Sequence, residues 1–286
     1  MQVAELDEGN TPGGLGGRSE RSPIGALAFL SNFDLYRGFQ AAPLWLLLGW
    51  NDIRLRYRRS ILGPFWITIS MTVLIVVLGF VYSKIFHTDI RTYLPYLALG
   101  FIVWGFISAS ILESCGAFQD SERIIKQVGI PLSVFVFRVV CRNFIVLLHT
   151  IILVIPIWII FEIVPGYVSL LALPGIALVF LNQCWVGICL AIVSARFRDV
   201  PPIVATVMQI AVFATPIMWP ASSLGENHLI ANINPLYHML QIVRGPLIGE
   251  TPALLSWEVA IVADVIGLAF AAWLLERTRR KVVYWL

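Results

Sequence analysis

Two arginines, Arg138 and Arg142, stand four residues apart inside a long apolar run, and His149 follows on the same face of a helix. Glu113 lies near the end of another apolar run. Ionisable groups in such segments are costly, so each needs a partner or a task. Two kinds of chemistry fit. A pair of guanidiniums one turn apart recognises a phosphate group. The same residues also fasten helices through an Arg–Glu pair, or extend their heads toward the aqueous boundary. The other reactive types carry less. His87, His149, His228 and His238 are scattered over different segments with no paired carboxylates beside them, which argues against a membrane-embedded lipid or glycan enzyme. Cys115, Cys141, Cys184 and Cys189 all fall in apolar runs, without CxxC or Cys/His spacing, and read as small hydrophobes. No G-x-x-x-x-G-K-[ST] occurs, so this chain does not cradle nucleotide phosphates by a P-loop. A carbonyl filter signature and an acidic ring, the marks of an ion channel, are also missing from the sequence.

The elements that must position these residues follow from composition. Of 286 residues 58% are hydrophobic and only 13% charged, and the mean hydropathy is +0.83. Soluble domains carry about a quarter charged residues. An ordinary soluble enzyme, a disordered chain and a secreted disulfide scaffold are therefore excluded, and a polytopic membrane protein is expected. Apolar stretches of the about 20 residues a bilayer demands number six: 63–86, 93–116, 132–164, 168–195, 201–219 and 254–275. Each must be helical, because lipid leaves the backbone to satisfy its own hydrogen bonds. The third is long enough to tilt or project. The expected fold class is thus all-α integral membrane. No internal repeat is evident, which counts against inverted-repeat secondary transporters.

Orientation follows from charge. With the N-terminus in the cytoplasm, all but three of the 20 Lys and Arg, namely Lys84, Arg91 and Arg244, face inward. Both termini are then cytoplasmic. Residues 1–34 are Gly-rich, with an acidic start at Glu5, Asp7 and Glu8 that does not suit a secretory signal, and read as a mobile tail. The segment 39–62 is too charged to cross lipid and too apolar for water, and is expected to lie as an amphipathic helix in the membrane interface. Residues 276–286 form a basic cytoplasmic end, leaving 35–275 as the transmembrane domain. Between the second and third spans, FQDSERIIKQVGIP at 118–131 predicts a short amphipathic helix capped by Asp120 or Ser121 and stopped by Gly129 and Pro131, the kind of element that docks a motor subunit. The stretch 220–252 between the fifth and sixth spans is partly apolar and broken by Pro235 and Pro246. It fits either a re-entrant helical pair at the outer mouth or a plain surface loop.

Five stretches in this order and spacing carry a resemblance: DIRLRYRRSILGPFW at 52–66, FQDSERIIKQVGIP at 118–131, RFRDV at 196–200, TPIMW at 215–219, and NP at 234–235. From about residue 35 to 286 the chain resembles the membrane subunit of ABC-2 type polysaccharide exporters, which handle O-antigen, capsular polysaccharide or teichoic acid. The resemblance implies a homodimer of six-helix subunits paired with two copies of a separate ATPase. ATP and Mg would sit on that partner, with no cofactor and no catalysis in this chain. The cargo would be an undecaprenyl-pyrophosphate-linked polysaccharide, O-antigen as first choice, crossing the bacterial inner membrane. It implies that the interface helix and first cytoplasmic loop meet the ATPase, through Asp52, Arg54, Arg56, Asp120, Glu122, Arg123 and Lys126. It makes the re-entrant pair the outer gate. If Arg138 and Arg142 bind an anion rather than fasten helices, the lipid pyrophosphate of such a cargo is that anion. Membrane lipids are further partners, and nucleic acid is not. A drug or small-lipid exporter of the same superfamily would share the fold and the motor.

A glycan offers hydroxyls and apolar C–H faces, so its channel calls for aromatics among small polar side chains. Phe65, Trp66 and Ser70 supply these on the first span, Trp104 and Ser108 on the second, and Thr206, Gln209 and Phe213 at helical spacing on the fifth. Tyr93, Tyr96, Trp219 and Tyr237 fit an exit ring at the outer mouth. The same residue types also anchor spans at membrane interfaces and glue helices together.

Overall fold

The computed structural model describes residues 33–61, 63, 65–220 and 229–286. Among the described residues every regular element is helical. Two helices, α1 (Asp34–Gln40) and α2 (Ala42–Arg56), precede α3 (Phe65–Ile85) and α4 (Ile90–Ser114). The short α5 (Glu122–Gln127) leads to α6 (Ser133–Thr150) and α7 (Val154–Ile160), joined by a 3₁₀ turn at Ile151–Leu153. A second 3₁₀ turn at Tyr167–Leu171 opens α8 (Ala172–Arg196), followed by α9 (Val200–Ala214), α10 (Leu229–Ile233), α11 (Pro235–Leu247) and α12 (Leu254–Trp285). Five segments are long and apolar enough to cross a membrane: α3, α4, α6 through α7, the second 3₁₀ turn with α8, and α12.

Helix α4 is the hub. It packs against α3, α6, α8, α9 and α11, and its side chains from Leu97 to Ile107 are nearly all buried. The α8–α12 contact is the most extensive in the molecule and shows how such helices approach without a hydrophobic driving force between them. Gly267 of α12 lies directly under the Trp185 indole, where any Cβ would collide with the ring. Asp264 of α12 accepts hydrogen bonds from Trp185 Nε1 (3.1 Å) and Asn182 Nδ2 (3.3 Å) of α8. An alanine at Gly267 is expected to lower the melting temperature of the detergent-solubilised protein by several degrees, because the clash is with a rigid ring.

Several expected boundaries move, each for a local reason. The interface segment forms two helices with a break at Ala41, and Pro43 starts the second. Asp34, expected to close a mobile tail, is buried within α1, and the tail itself (1–32) lies outside the described residues. The third apolar run tightens into a 3₁₀ turn just before Pro156, whose missing N–H leaves no α-helical bond to keep there. The fifth run stops being helical at Ala214, because Thr215 precedes Pro216 and is driven to an extended conformation (ψ 138°). At 15 residues α9 is about 22 Å long, short of a bilayer's about 30 Å. Beyond the sixth apolar run the helix continues: RTRRK contains good helix formers, and α12 runs without a break to Trp285. Part of the stretch 220–252, residues 221–228, also lies outside the described residues.

Candidate functional site

At the end of the bundle rich in basic residues, α2, α4 and α6 are tied by one continuous ion network. The Asp52 carboxylate accepts from Arg138 Nε (2.7 Å) and Nη2 (2.5 Å), and from Arg142 Nη1 (3.1 Å). Arg142 Nη2 reaches Glu113 (2.7 Å), which also accepts from Asn143 Nδ2 (2.8 Å) and Arg56 Nη2 (3.0 Å). Three cations face two anions, leaving one net positive charge. Asp52 and Arg142 are the most sheltered charged members, with side chains 11% and 16% exposed. The backbones come close because α2 has Gly49 there, where a Cβ would stand 3.2 Å from Arg138 O and Cys141 Sγ. Beside the network a pocket opens between Arg56, Glu113, Asn143, Met71 and Thr150. His149 is not part of this cluster: its Nδ1 lies 2.7 Å from Ile145 O.

The resemblance put Asp52 and Arg56 at a motor contact, and the residues left Arg138 and Arg142 open between an anion site and an Arg–Glu pair that fastens helices. The structure brings all four together with Glu113, and the guanidiniums of the α6 pair are occupied by carboxylates. Arg54 remains exposed. Helix α5 forms where expected, but Ser121 at its N-cap makes no side-chain cap bond. Ile125 anchors it, while Asp120, Arg123 and Lys126 face outward. Glu122 pairs with Lys126 at 2.7 Å, and this hydrogen bond holds its carboxyl below the usual carboxylate range.

At the opposite end, the non-helical strap 215–219 is held by side chains of α4 and α11. Tyr96 Oη donates to Pro216 O (2.9 Å) and lies 3.2 Å from Trp219 O, and Tyr93 Oη donates to Met218 O. Arg244 of α11 donates from Nη1 to the same Pro216 carbonyl (2.7 Å) and from Nη2 to Gln241 (2.9 Å), with its guanidinium 3.8 Å from the centre of the Tyr96 ring. Trp219 Nε1 turns back to Phe213 O (2.9 Å). Helix α11 is seated deeply: Asn234 caps it by accepting from Leu236 N (2.9 Å), Pro235 opens it, and residues 238–247 are largely buried. The Tyr93 and Tyr96 hydroxyls thus meet the backbone of the strap that carries Trp219. Tyr237 packs edge-on against His238.

The channel residues divide. Phe65, Trp66 and Ser70 lie exposed on α3, and Thr206, Gln209 and Phe213 on α9. Both helices pack against α4. Trp104 is buried in the bundle at 7% exposure, and Ser108 is half-buried beside Gly105 O. Aromatic type alone says nothing of which helix face is already covered, so Trp104 fits a channel by type and the core by packing.

Three residues were not singled out in the sequence. Arg244 is 1% exposed with no carboxylate hydrogen-bonded to it among the described residues, although it was counted as an ordinary outward charge. Asp264, in the middle of an apolar run, carried a legible signal. Asp34 had none: its partners are about a hundred residues away.

With this geometry in hand, comparisons place the chain. It is 26% identical over 230 residues to the O-antigen export system permease protein RfbA of Klebsiella pneumoniae, covering 77% of this chain and 87% of that protein. The counterpart from Myxococcus xanthus is 23% identical over 209 residues, covering 71% and 79%. The stretch from residue 43 to 248, which runs from the ion-paired interface helix to the end of α11, matches the ABC-2 type transporter family. A multi-pass helical bundle with this match is a membrane component of that kind, and the chain belongs to the ABC-2 type transporter family.

Proposed function

We propose that this chain is the permease of an ATP-driven exporter that carries undecaprenyl-pyrophosphate-linked polysaccharide, O-antigen above all, across the bacterial inner membrane. The observation that carries the reading is the alignment with O-antigen export permeases over most of both lengths. Two copies of the chain work with two copies of a separate ATPase, which holds ATP and Mg. The chain crosses the membrane six times with both termini inside, α9 and its strap making the fifth passage. Helices α10 and α11 enter from the outer side and return. On this reading the basic end is cytoplasmic, α5 presents Arg123 and Lys126 to the motor, and the open faces of α3 and α9 line half of a channel. Tyr93, Tyr96, Trp219 and Tyr237 close its outer mouth.

Arg138 and Arg142 are assigned to fastening α2 and α4 to α6, because both guanidiniums are ion-paired, with Asp52 and with Glu113. Replacing both by Gln is then expected to lower thermal stability in detergent by several degrees while preserving the response of hydrolysis to substrate in the folded fraction. Intact stability with loss of that response would instead make them a lipid-pyrophosphate site.

The reading is tested by purifying the tagged chain in nanodiscs from cells carrying its native neighbours. A stoichiometric P-loop protein is expected, with hydrolysis that responds to undecaprenyl-linked glycan. A chain that purifies alone would overturn it.

A further inference from the structure

One helix grips the α5 loop at both of its ends. Helix α12 is 32 residues long, about 48 Å, so its last turns project well past a bilayer's about 30 Å. The first grip runs through Glu276, whose Oε1 accepts from Asp34 N at 2.6 Å. The Asp34 carboxylate in turn accepts from Leu132 N and Ser133 N, both at 2.9 Å. It thereby caps α6, which has no side-chain cap of its own at Leu132. Residues 128–131, the exit of the α5 loop, lead directly into that cap. Around it Arg37, Arg279 and Val283 border one groove with Val128 and Pro131.

The second grip is at the loop's entrance. Trp285 and Leu286 border a cleft with Gln119, Glu122 and Arg198. The Arg196 guanidinium lies 5.1 Å from the Trp285 ring centre, and Gln119 Nε2 donates to Ser194 O at 2.9 Å. Helix α5 is too short to hold its own place: it has six residues, no side-chain cap bond and one buried anchor, Ile125. Its orientation is set by what surrounds it: Ile125 and, at the entrance, Phe118 are buried, and the end of α12 borders the loop on both sides.

We propose that Glu276 and Trp285 are positioning residues for motor coupling, the end of α12 acting as a clamp that fixes how the 118–131 loop is presented to the ATPase. The inference rests on the exporter reading above. Glu276 acts through Asp34 on the exit of the loop, and Trp285 acts through Arg196 and Gln119 on its entrance.

The test uses the complete complex of chain and native ATPase in nanodiscs, with hydrolysis measured with and without undecaprenyl-pyrophosphate-linked polysaccharide. Trp285→Ala and Glu276→Ala are each expected to lower the substrate-stimulated increment about tenfold or more, the scale of a remote misplacement. Basal hydrolysis and the amount of inserted complex should stay unchanged, and Trp285→Phe should restore stimulation. Arg123→Glu, on the exposed face of α5, serves as the reference. If Arg123→Glu uncouples while Glu276→Ala and Trp285→Ala behave as wild type, the clamp is wrong and the exporter reading stands. If all three behave as wild type, the motor contact at α5 falls and the clamp with it. Should Trp285→Ala fail to insert, Glu276→Ala decides alone by the same criterion.

Discussion

Alanine at Asp52 is expected to destabilise the folded subunit by about 2–4 kcal/mol, the largest effect of any single substitution in the ion network. The change leaves three guanidiniums with one carboxylate instead of two, and Arg138 loses both hydrogen bonds that Asp52 accepts from it. An exposed ion pair would be worth under about 1 kcal/mol, and the distinction turns on shelter. The Asp52 side chain is 11% exposed and Arg142 16%, so water compensates little for the missing partner. Thermal unfolding in detergent measures the effect. A double variant, Asp52→Ala with Arg138→Met, should recover a good part of the loss, since it removes the stranded charge along with its partner. A melting temperature for Asp52→Ala equal to wild type would show that the network contributes nothing beyond a surface contact.

Methionine at Arg244 should be nearly as damaging, but at the other end of the molecule and with a different signature. Arg244 joins three elements: the Pro216 carbonyl of the strap, Gln241 on its own helix and the Tyr96 ring of α4. Its loss removes one of two donors to that carbonyl and leaves Gln241 without the guanidinium it accepts from. Buried polar groups stranded in this way cost about 1–3 kcal/mol each. Methionine fills similar space, so the helix packing survives and the hold on the strap is what fails. The expected result is a subunit that still inserts and still binds its ATPase, yet lets a small fluorescent dye leak from liposomes without ATP. Lysine at Arg244 should restore only part of the seal, because a single ammonium cannot serve both acceptors and the ring with one planar fork. A tight liposome with Arg244→Met would remove the strap from the closing of the outer mouth.

Much of the architecture was legible because membrane physics writes long signals. Apolar runs of about 20 residues, short loops and an excess of Arg and Lys on one side need no tertiary information. Local punctuation was legible too, but was read too coarsely. Pro216 stops α9 by restricting Thr215, and the TPIMW motif that carried the resemblance is the strap that this break creates. Charge marks where an apolar run ends and says nothing of where its helix ends, and α12 runs on to Trp285. What stayed hidden was partnership. Nothing near Asp34 announces that it caps a helix starting at Ser133, and nothing near Asp52 says whether its carboxylate faces a motor or an arginine. Trp104 and Trp66 have the same type and opposite surroundings, a difference set by which face of each helix meets α4's neighbours.

The central claim is vectorial transport by this chain together with a separate motor. The direct measurement reconstitutes the chain and its native ATPase in proteoliposomes with undecaprenyl-pyrophosphate-linked polysaccharide in the outer leaflet, and follows protection of the glycan from an added glycosidase. ATP and Mg should produce protection that grows with time, is absent when either subunit is omitted, and is lost when the motor is blocked. Steady hydrolysis with no ATP-dependent protection would contradict the account.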